Sequence, residues 1–363
     1  MALTKISAGI LKDSTITATD LAATGTASSA TTLQGNDVWA TLASSGVINI
    51  AAADPGTGQT SGNTWFLSGL MNFVTDASNL GGVWSSGGNL ITKRYGAMGA
   101  GSLTAGLTAF GHDNSSSLTS TEEYNGNTWA AGGTTGGTRT TVPGDGTQSS
   151  AWAGGGGTTP GYDTSETYNG STWSAANNLL TNRYVSAGLG TATAGLMISG
   201  RVDGVQYSIT CEEYNGTCWS AAGSMSTGRN ELAGCGILSS GLAYGGENPG
   251  STYHQSGEEY NGSAWSAGGT MSSVGRKGAG FAGTSIDGGS IYAGGGNDSG
   301  GLGLADEYNG TAWSVIMPLP TDASSKPTRL GSASAGAMVG GYDGDSLDNT
   351  QEWNKVTVKF VGV

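Results

Sequence analysis

Arginine and acidic residues recur together along this 363-residue chain, at spacings that suit either paired charges or acid–base chemistry. Arg follows Trp by ten residues at Trp84–Arg94, Trp129–Arg139, Trp173–Arg183 and Trp219–Arg229. The offset is eleven at Trp265–Arg276 and sixteen at Trp313–Arg329, so six of the seven arginines read as repeat residues. Acidic residues come just before Tyr in Glu122-Glu123-Tyr124, Glu166-Thr167-Tyr168, Glu212-Glu213-Tyr214, Glu258-Glu259-Tyr260 and Asp306-Glu307-Tyr308. Paired carboxylates can serve general acid–base catalysis. A catalytic site, however, is single and asymmetric, and this arrangement occurs five times over. The expectation is structural ion pairs between repeat Arg and repeat Glu, rather than an arginine ring for anions. No catalytic residue and no cofactor is expected.

Other reactive side chains are few. His112 and His254 are the only histidines, and Cys211, Cys218 and Cys235 show no zinc spacing and no disulfide framework. Free buried thiols are expected. Asp343, Asp345 and Asp348 have calcium-ligand character, but acidic turns of this kind are common, and no metal is expected.

The elements that position these residues follow from the phrase around Tyr. Asn-Gly comes immediately after it, as in Tyr124-Asn125-Gly126, and Trp lies five residues beyond Tyr, as in Trp129. The pairs Tyr168/Trp173, Tyr214/Trp219, Tyr260/Trp265 and Tyr308/Trp313 repeat it, and Gln351-Glu352-Trp353-Asn354-Lys355 is a worn copy. Aromatic to aromatic, the copies are 44, 46, 46, 48 and 45 residues apart. Asn-Gly between strand-like runs predicts a two-residue type I′ hairpin, because both central residues need positive φ. In that register Tyr faces the residue after Gly, Trp faces the first acidic residue, and Cys218 lies opposite Glu213. Short apolar runs that often end in glycines, such as Gly241-Leu242-Ala243-Tyr244-Gly245-Gly246, supply further strands.

Each period thus holds four strands, a to d, with a near the Arg, b ending in glycines, c carrying Glu-Tyr and d carrying Trp. Four strands every 40–50 residues describe a propeller blade, which buries its faces only by stacking on its neighbours. The order of double glycine, aromatic and Trp resembles the kelch-type β-propellers. That resemblance implies an all-β ring of four-stranded blades over residues 47–363, with clear repeats from 84. The pattern departs at Phe110-Gly111-His112 and Ser199-Gly200-Arg201, where one glycine is missing, and in the rigidity of the Tyr-Asn-Gly phrase. Copper radical oxidases on kelch scaffolds need two His with a Tyr–Cys crosslink, and sialidases need Asp-boxes; neither set is present. Seven candidate d strands (six Trp strands and Val356–Phe360) suggest seven blades, the first a degenerate one from residues 47–83. Six is the alternative, with either the Trp84 strand or the C-terminal strand completing the last blade.

Blade topology puts the tight c–d turns on one face and the variable b–c loops on the other. The b–c face is the expected recognition surface. Its candidate ligand-binding residues are His112, Asp113, Asn114, Tyr162, Asp163, Tyr207, Asn248, Tyr253, His254, Asn297, Asp298, Asp343 and Asp345.

Composition narrows the partners. Gly accounts for 67 residues, recurring with the period, and the formal net charge is −13. An acidic chain lacks the basic footprint of nucleic-acid binding. No apolar run reaches the ~18 residues of a membrane span, and the first residues do not read as a signal peptide. Residues 1–46 are rich in Ala, Thr and Ser, too sparse in apolar groups for a core of their own, and read as an extended arm. Met1–Ala22, with Ile10-Leu11-Lys12-Asp13-Ser14-Thr15-Ile16-Thr17, resembles the leaders of bacteriophage tail-fibre and virion proteins. That resemblance implies a non-enzymatic virion protein, anchored to tail or capsid proteins by the arm, homo-oligomeric, with a propeller facing host glycan or protein. A capsid-decorating or purely structural propeller is the alternative, and a glycan-active enzyme a more distant one.

Overall fold

The Tyr-to-Trp hairpin folds in a different register from the type I′ expectation. Tyr124 pairs directly with Trp129, and Tyr168 with Trp173, Tyr214 with Trp219, Tyr260 with Trp265 and Tyr308 with Trp313. Four residues therefore separate the strands. Asn125 is not among the residues with positive φ, whereas Gly126 is (φ 95°). The Asn125 side chain organises the turn, its Oδ1 accepting the backbone N–H groups of Asn127 and Thr128, both at 2.9 Å. Asn169, Asn215, Asn261 and Asn309 do the same. An Asx turn thus replaces the positive-φ pair. The direct pairing sets each Tyr ring on its Trp, 4.8 Å apart at Tyr124–Trp129. It also moves Cys218 into an exposed turn rather than opposite Glu213; Cys211 and Cys235 are buried, and all three thiols are free.

The computed structural model describes residues 82–355 apart from 158–159, 203, 249–251, 272, 274–277, 284–288, 298–299 and 321–324, together with the strands of two short hairpins nearer the N-terminus. The described part contains no helix. Residues 83–355 are one compact unit, and residues 1–82 with 356–363 are a second. In the second unit Leu33–Gln34 pairs with Asp37–Val38, and Thr64–Leu67 with Leu70–Phe73. The rest of the expected arm, and the Val356–Phe360 strand, lie outside the described residues.

The compact unit is a β-propeller of six four-stranded antiparallel sheets. Blade 1 runs Met98–Ser102, Ala105–Ala109, Thr121–Tyr124 and Trp129–Ala131 as strands a to d. Blades 2 to 5 repeat this order, with strands a at Gly144–Thr147, Ala187–Thr191, Asn230–Ile237 and Gly280–Gly283. Blade 6 takes strands a to c from Thr328–Gly331, Ala335–Val339 and Thr350–Asn354, and its outermost strand from Val83–Ser86. Trp84 pairs with Trp353, ring centroids 5.2 Å apart, and so fills the d-strand Trp place. This corrects the seven-blade expectation. The six strands a pack in a closed circle, and the Thr64–Leu67 and Leu70–Phe73 strands pair with each other instead of building a further blade.

The rings bond blade to blade. Trp129 Nε1 donates to Thr350 Oγ1 at 2.9 Å, Trp173 to Thr121 at 2.8 Å and Trp219 to Ser165 at 3.2 Å, each in the preceding blade. Four of the five Tyr hydroxyls, all but that of Tyr214, reach the second acidic residue of the preceding phrase, with Tyr168 on Glu123 at 2.7 Å and Tyr308 on Glu259 at 2.6 Å. Where Trp353 replaces Tyr, Glu307 pairs instead with Lys355. Burial, reinforced by the glutamates, pushes the Tyr124 and Tyr168 hydroxyls up to about 12.

Candidate binding face and axial cavity

The repeat arginines are built into the blades. Arg94 and Arg183 are almost wholly buried and pair with Glu122 (2.6 Å) and Glu212; Arg139 pairs with Glu166, and Arg229 with Glu258 at 3.1 Å. Each guanidinium also closes the b–c loop of its blade. Arg94 Nη1 donates to Phe110 O at 3.0 Å and Ser120 O at 2.9 Å, one at each end of that loop. Arg139 does so at Gly155 and Thr164, Arg183 at Ser199 and Thr210, and Arg229 at Gly245 and Ser256. The glutamates hold the d–a segments in turn: Glu122 accepts Ile91 N at 2.7 Å and Thr92 N at 3.0 Å, and Glu258 accepts Ser226 N at 2.7 Å. In blades 1 to 4 one charge pair thus fastens both loops of the variable face. Arg276 lies outside the described residues.

The double glycine serves the same face. Its second member donates to the carbonyl of the next blade's repeat Arg, as Gly111 N does to Arg139 O at 2.9 Å and Gly200 N to Arg229 O at 3.0 Å. A Cβ on Gly200 would lie 2.0 Å from Ser186 Oγ, and the φ of +90° disfavours any side chain there. Phe110 and Ser199, which stand for the first glycine in blades 1 and 3, keep its left-handed backbone (φ 64° and 54°). Phe110 is also stacked under Arg139, 4.5 Å from its ring centroid.

Arg329 is the exception, and corrects its reading as a repeat arginine. It lies inside strand a of blade 6, at the register held by Gly99, Gly144, Gly188, Gly234 and Phe281. The position equivalent to Arg94 is Ser324, outside the described residues, and Gln351 stands where the other blades carry Glu or Asp. Freed from that role, Arg329 crosses the axis. Its Nη2 donates to Asp145 Oδ2 in blade 2 at 2.9 Å and to Gly188 O in blade 3 at 3.0 Å. Asp145 also accepts Gly146 N at 2.8 Å and Gly190 N at 3.2 Å. Burial works against the Arg329 charge, but the Asp145 carboxylate more than restores it.

Above this pair is an axial cavity of about 130 Å³, lined by all six blades. Its mouth is formed where the d–a segments enter strands a, so it opens on the b–c face. Six equivalent residues ring it: Gly96, Thr141, Val185, Glu231, Gly278 and Lys326, all left-handed, with φ between 49° and 61°. A β-branched residue there, as at Val185, is a true backbone outlier of the kind held at functional sites, costing about 1–3 kcal/mol. The ring is held by bonds between blades, Gly96 N to Lys326 O (3.1 Å), Lys326 N to Gly278 O (2.5 Å), Gly278 N to Glu231 O (2.7 Å) and Glu231 N to Val185 O (2.9 Å). Lys326 Nζ pairs with Glu231 Oε1 at 2.9 Å across the side-chain-free Gly278.

The residues singled out on the b–c loops are spread around the face. Three come together between blades 6 and 1: Asn114 Nδ2 donates to Asp345 Oδ1, which also pairs with Lys93 at 2.7 Å, and His112 Nδ1 accepts Asn114 N at 2.9 Å. Tyr95 is stacked beside them on His112 (5.4 Å) and Tyr342 (5.1 Å). Asp113 caps its own turn through Ser115 N and Ser116 N, which lowers its carboxyl. Tyr162 is exposed, and Asp163 accepts Asn178 at 3.1 Å. Tyr207 is half-buried over Gly228. Asn248, Tyr253 and His254 lie on a small extension of blade 4, where Glu247 pairs with Tyr253. His254 is pushed down to about 4, mainly by burial and then by Arg229, and so stays neutral. His254 Nε2 and Asn248 Oδ1 are buried without a hydrogen-bond partner among the described residues. Asp343 is exposed in a turn. Asn297 lies on a two-residue strand; its side chain and Asp298 lie outside the described residues. Among the described residues no cluster of His, Cys, Asp or Glu could hold a metal ion.

The sequence does not single out the axial site, and Arg329 reads there as a repeat arginine despite its sixteen-residue offset from Trp313. No protein-family model matches the chain, and no curated protein is significantly similar to it.

Proposed function

We propose that this chain is a non-enzymatic binding propeller of kelch-like type, belonging to a bacteriophage virion, in which the b–c face engages host-surface glycan or protein. One observation carries the proposal. The charged repeat residues are spent on fastening the b–c and d–a loops, while the b–c loops differ from blade to blade and share a face with the d–a segments that ring one cavity. Such a rigid scaffold with variable loops at one end is how binding sites are held on repeat folds. The leader of residues 1–22 supports virion membership, with residues 1–46 anchoring to tail or capsid proteins within a homo-oligomer.

A glycan array probed with the full chain, and with variants in the His112–Asn114 and Asn248–His254 loops, tests this. Binding that the loop variants weaken is the expected outcome. Retention on the array through the Asn125, Asn169 and Asn215 turns, with both loops dispensable, would place recognition on the opposite face. Release of reducing sugar from host envelope would replace binding by catalysis.

A further inference from the structure

The axial pair breaks the six-fold pattern of the ring. Glycine or Phe281 holds the Arg329 register in the other blades, and apolar residues or Cys235 hold that of Asp145. A buried ion pair gives little stability over apolar residues of similar volume. Its place at the bottom of a cavity gives it another use. Nη2 of Arg329 makes both of its hydrogen bonds, so Nε and Nη1 donate to no group among the described residues. Neither atom is fully buried, unlike Nε of Arg183 and Arg229, and Arg329 lines the cavity.

Charge and size select the occupant. Arg329 is neutralised by Asp145, and Lys326 at the mouth by Glu231. An anion or cation entering would leave one charge without a partner, which is costly in a desolvated site. A neutral molecule rich in hydroxyl groups meets donors at Arg329 and Lys326 and an acceptor at Glu231. Val142, Leu232 and Pro327 offer apolar wall to its C–H faces. At ~10–15 Å³ per water position, the cavity has room for on the order of ten heavy atoms, the size of one sugar ring.

From this geometry we infer that the axial cavity is a subsite for a single neutral monosaccharide unit, with Arg329 and the Glu231–Lys326 pair as its polar contacts. The inference rests on the proposed glycan-binding function and names one place where the glycan is held. The pair of left-handed ring residues at Glu231 and Lys326 fixes the mouth contacts without loop closure.

Saturation-transfer NMR on the full chain, with neutral hexoses, N-acetylhexosamines, uronic acids and amino sugars as probes, tests it. Neutral sugars should give signal, and charged ones should bind about tenfold more weakly. The charge-neutral double variant Arg329→Leu/Asp145→Leu should abolish the signal. Because that variant can fail to fold, Ala97→Trp, which fills the cavity from its wall, serves as a second test, with thermal melting as the folding control. A neutral-sugar signal that survives Ala97→Trp in a folded protein overturns the inference, as does a wild-type chain that binds no neutral sugar but still binds the glycan array. A wild-type chain that binds neither sugars nor array overturns the glycan reading as well.

Discussion

The Tyr168 hydroxyl donates to Glu123 of the preceding blade, whereas Tyr214, one blade on, meets Thr167 at the equivalent position and finds no carboxylate among the described residues. The two tyrosines are otherwise alike, each buried and each stacked on its Trp, at 5.0 Å and 4.9 Å. Removing the hydroxyl should therefore cost different amounts. Tyr168→Phe leaves Glu123 without its donor and is expected to destabilise by about 1–3 kcal/mol, and Tyr214→Phe by less than about 0.5 kcal/mol. Urea titration of both variants reads the difference; equal losses would mean that the interblade bond adds nothing.

Each repeat arginine is expected to be irreplaceable on its own. Arg183→Met deprives Glu212 of its partner and both ends of a loop of their donor, and should cost about 3–5 kcal/mol. Arg183→Met combined with Glu212→Leu should recover part of that loss, because no charge is left buried alone. Denaturation midpoints of the single and double variants measure the coupling.

The turns distinguish the Asx arrangement from the type I′ hairpin that Asn-Gly suggests. Asn169→Asp keeps the oxygen that accepts Ser171 N and Thr172 N and should be nearly neutral. Asn169→Gly, which would suit a type I′ turn, should instead lower stability by about 1 kcal/mol. Thermal melting of the two variants gives the answer.

Thiol reactivity should follow burial. Burial pushes Cys211 up to about 11 and Cys235 up to about 12, so neither offers thiolate at neutral pH. Cys218 is exposed on its turn. A thiol reagent should label Cys218 alone in the native protein and all three cysteines after denaturation; mass spectrometry of the labelled chain locates the sites.

Acid should weaken the fold through His254. Its folded value is about 4 against 6.5 for the free side chain, so between these the unfolded chain holds more protons. Stability from this group is full above about 6.5 and is lost as pH falls through that window. His254→Gln should flatten that part of the stability curve, as read from urea midpoints at about pH 7 and pH 5.

How far the sequence carries can be seen residue by residue. The blades, the strand order, and the Arg–Glu pairing were legible because each is repeated, and repetition averages out local ambiguity. The blade number was not, since Trp84 and the last residues compete for one place and only pairing decides between them. The turn register was misread because Asn-Gly usually signals positive φ at both residues, while here the side chain of Asn125 does the bonding. The axial site was the least visible part. Arg329, Asp145, Glu231 and Lys326 come from three blades and share only their nearness to the axis, which no spacing along the chain encodes.

Closure by Val83–Ser86 also sets the order in which the molecule can come together. This strand leaves the ribosome ahead of all five complete blades, yet its partner Thr350–Asn354 follows all of them. Until then two strand edges stay unpaired, one on this waiting strand and one on Ala335–Val339 of blade 6, and unpaired edges invite association with other chains. The join is the longest loop closure in the domain, so it is the step expected to limit folding speed. A chain truncated before Thr350 would keep most of its blades and still present both open edges.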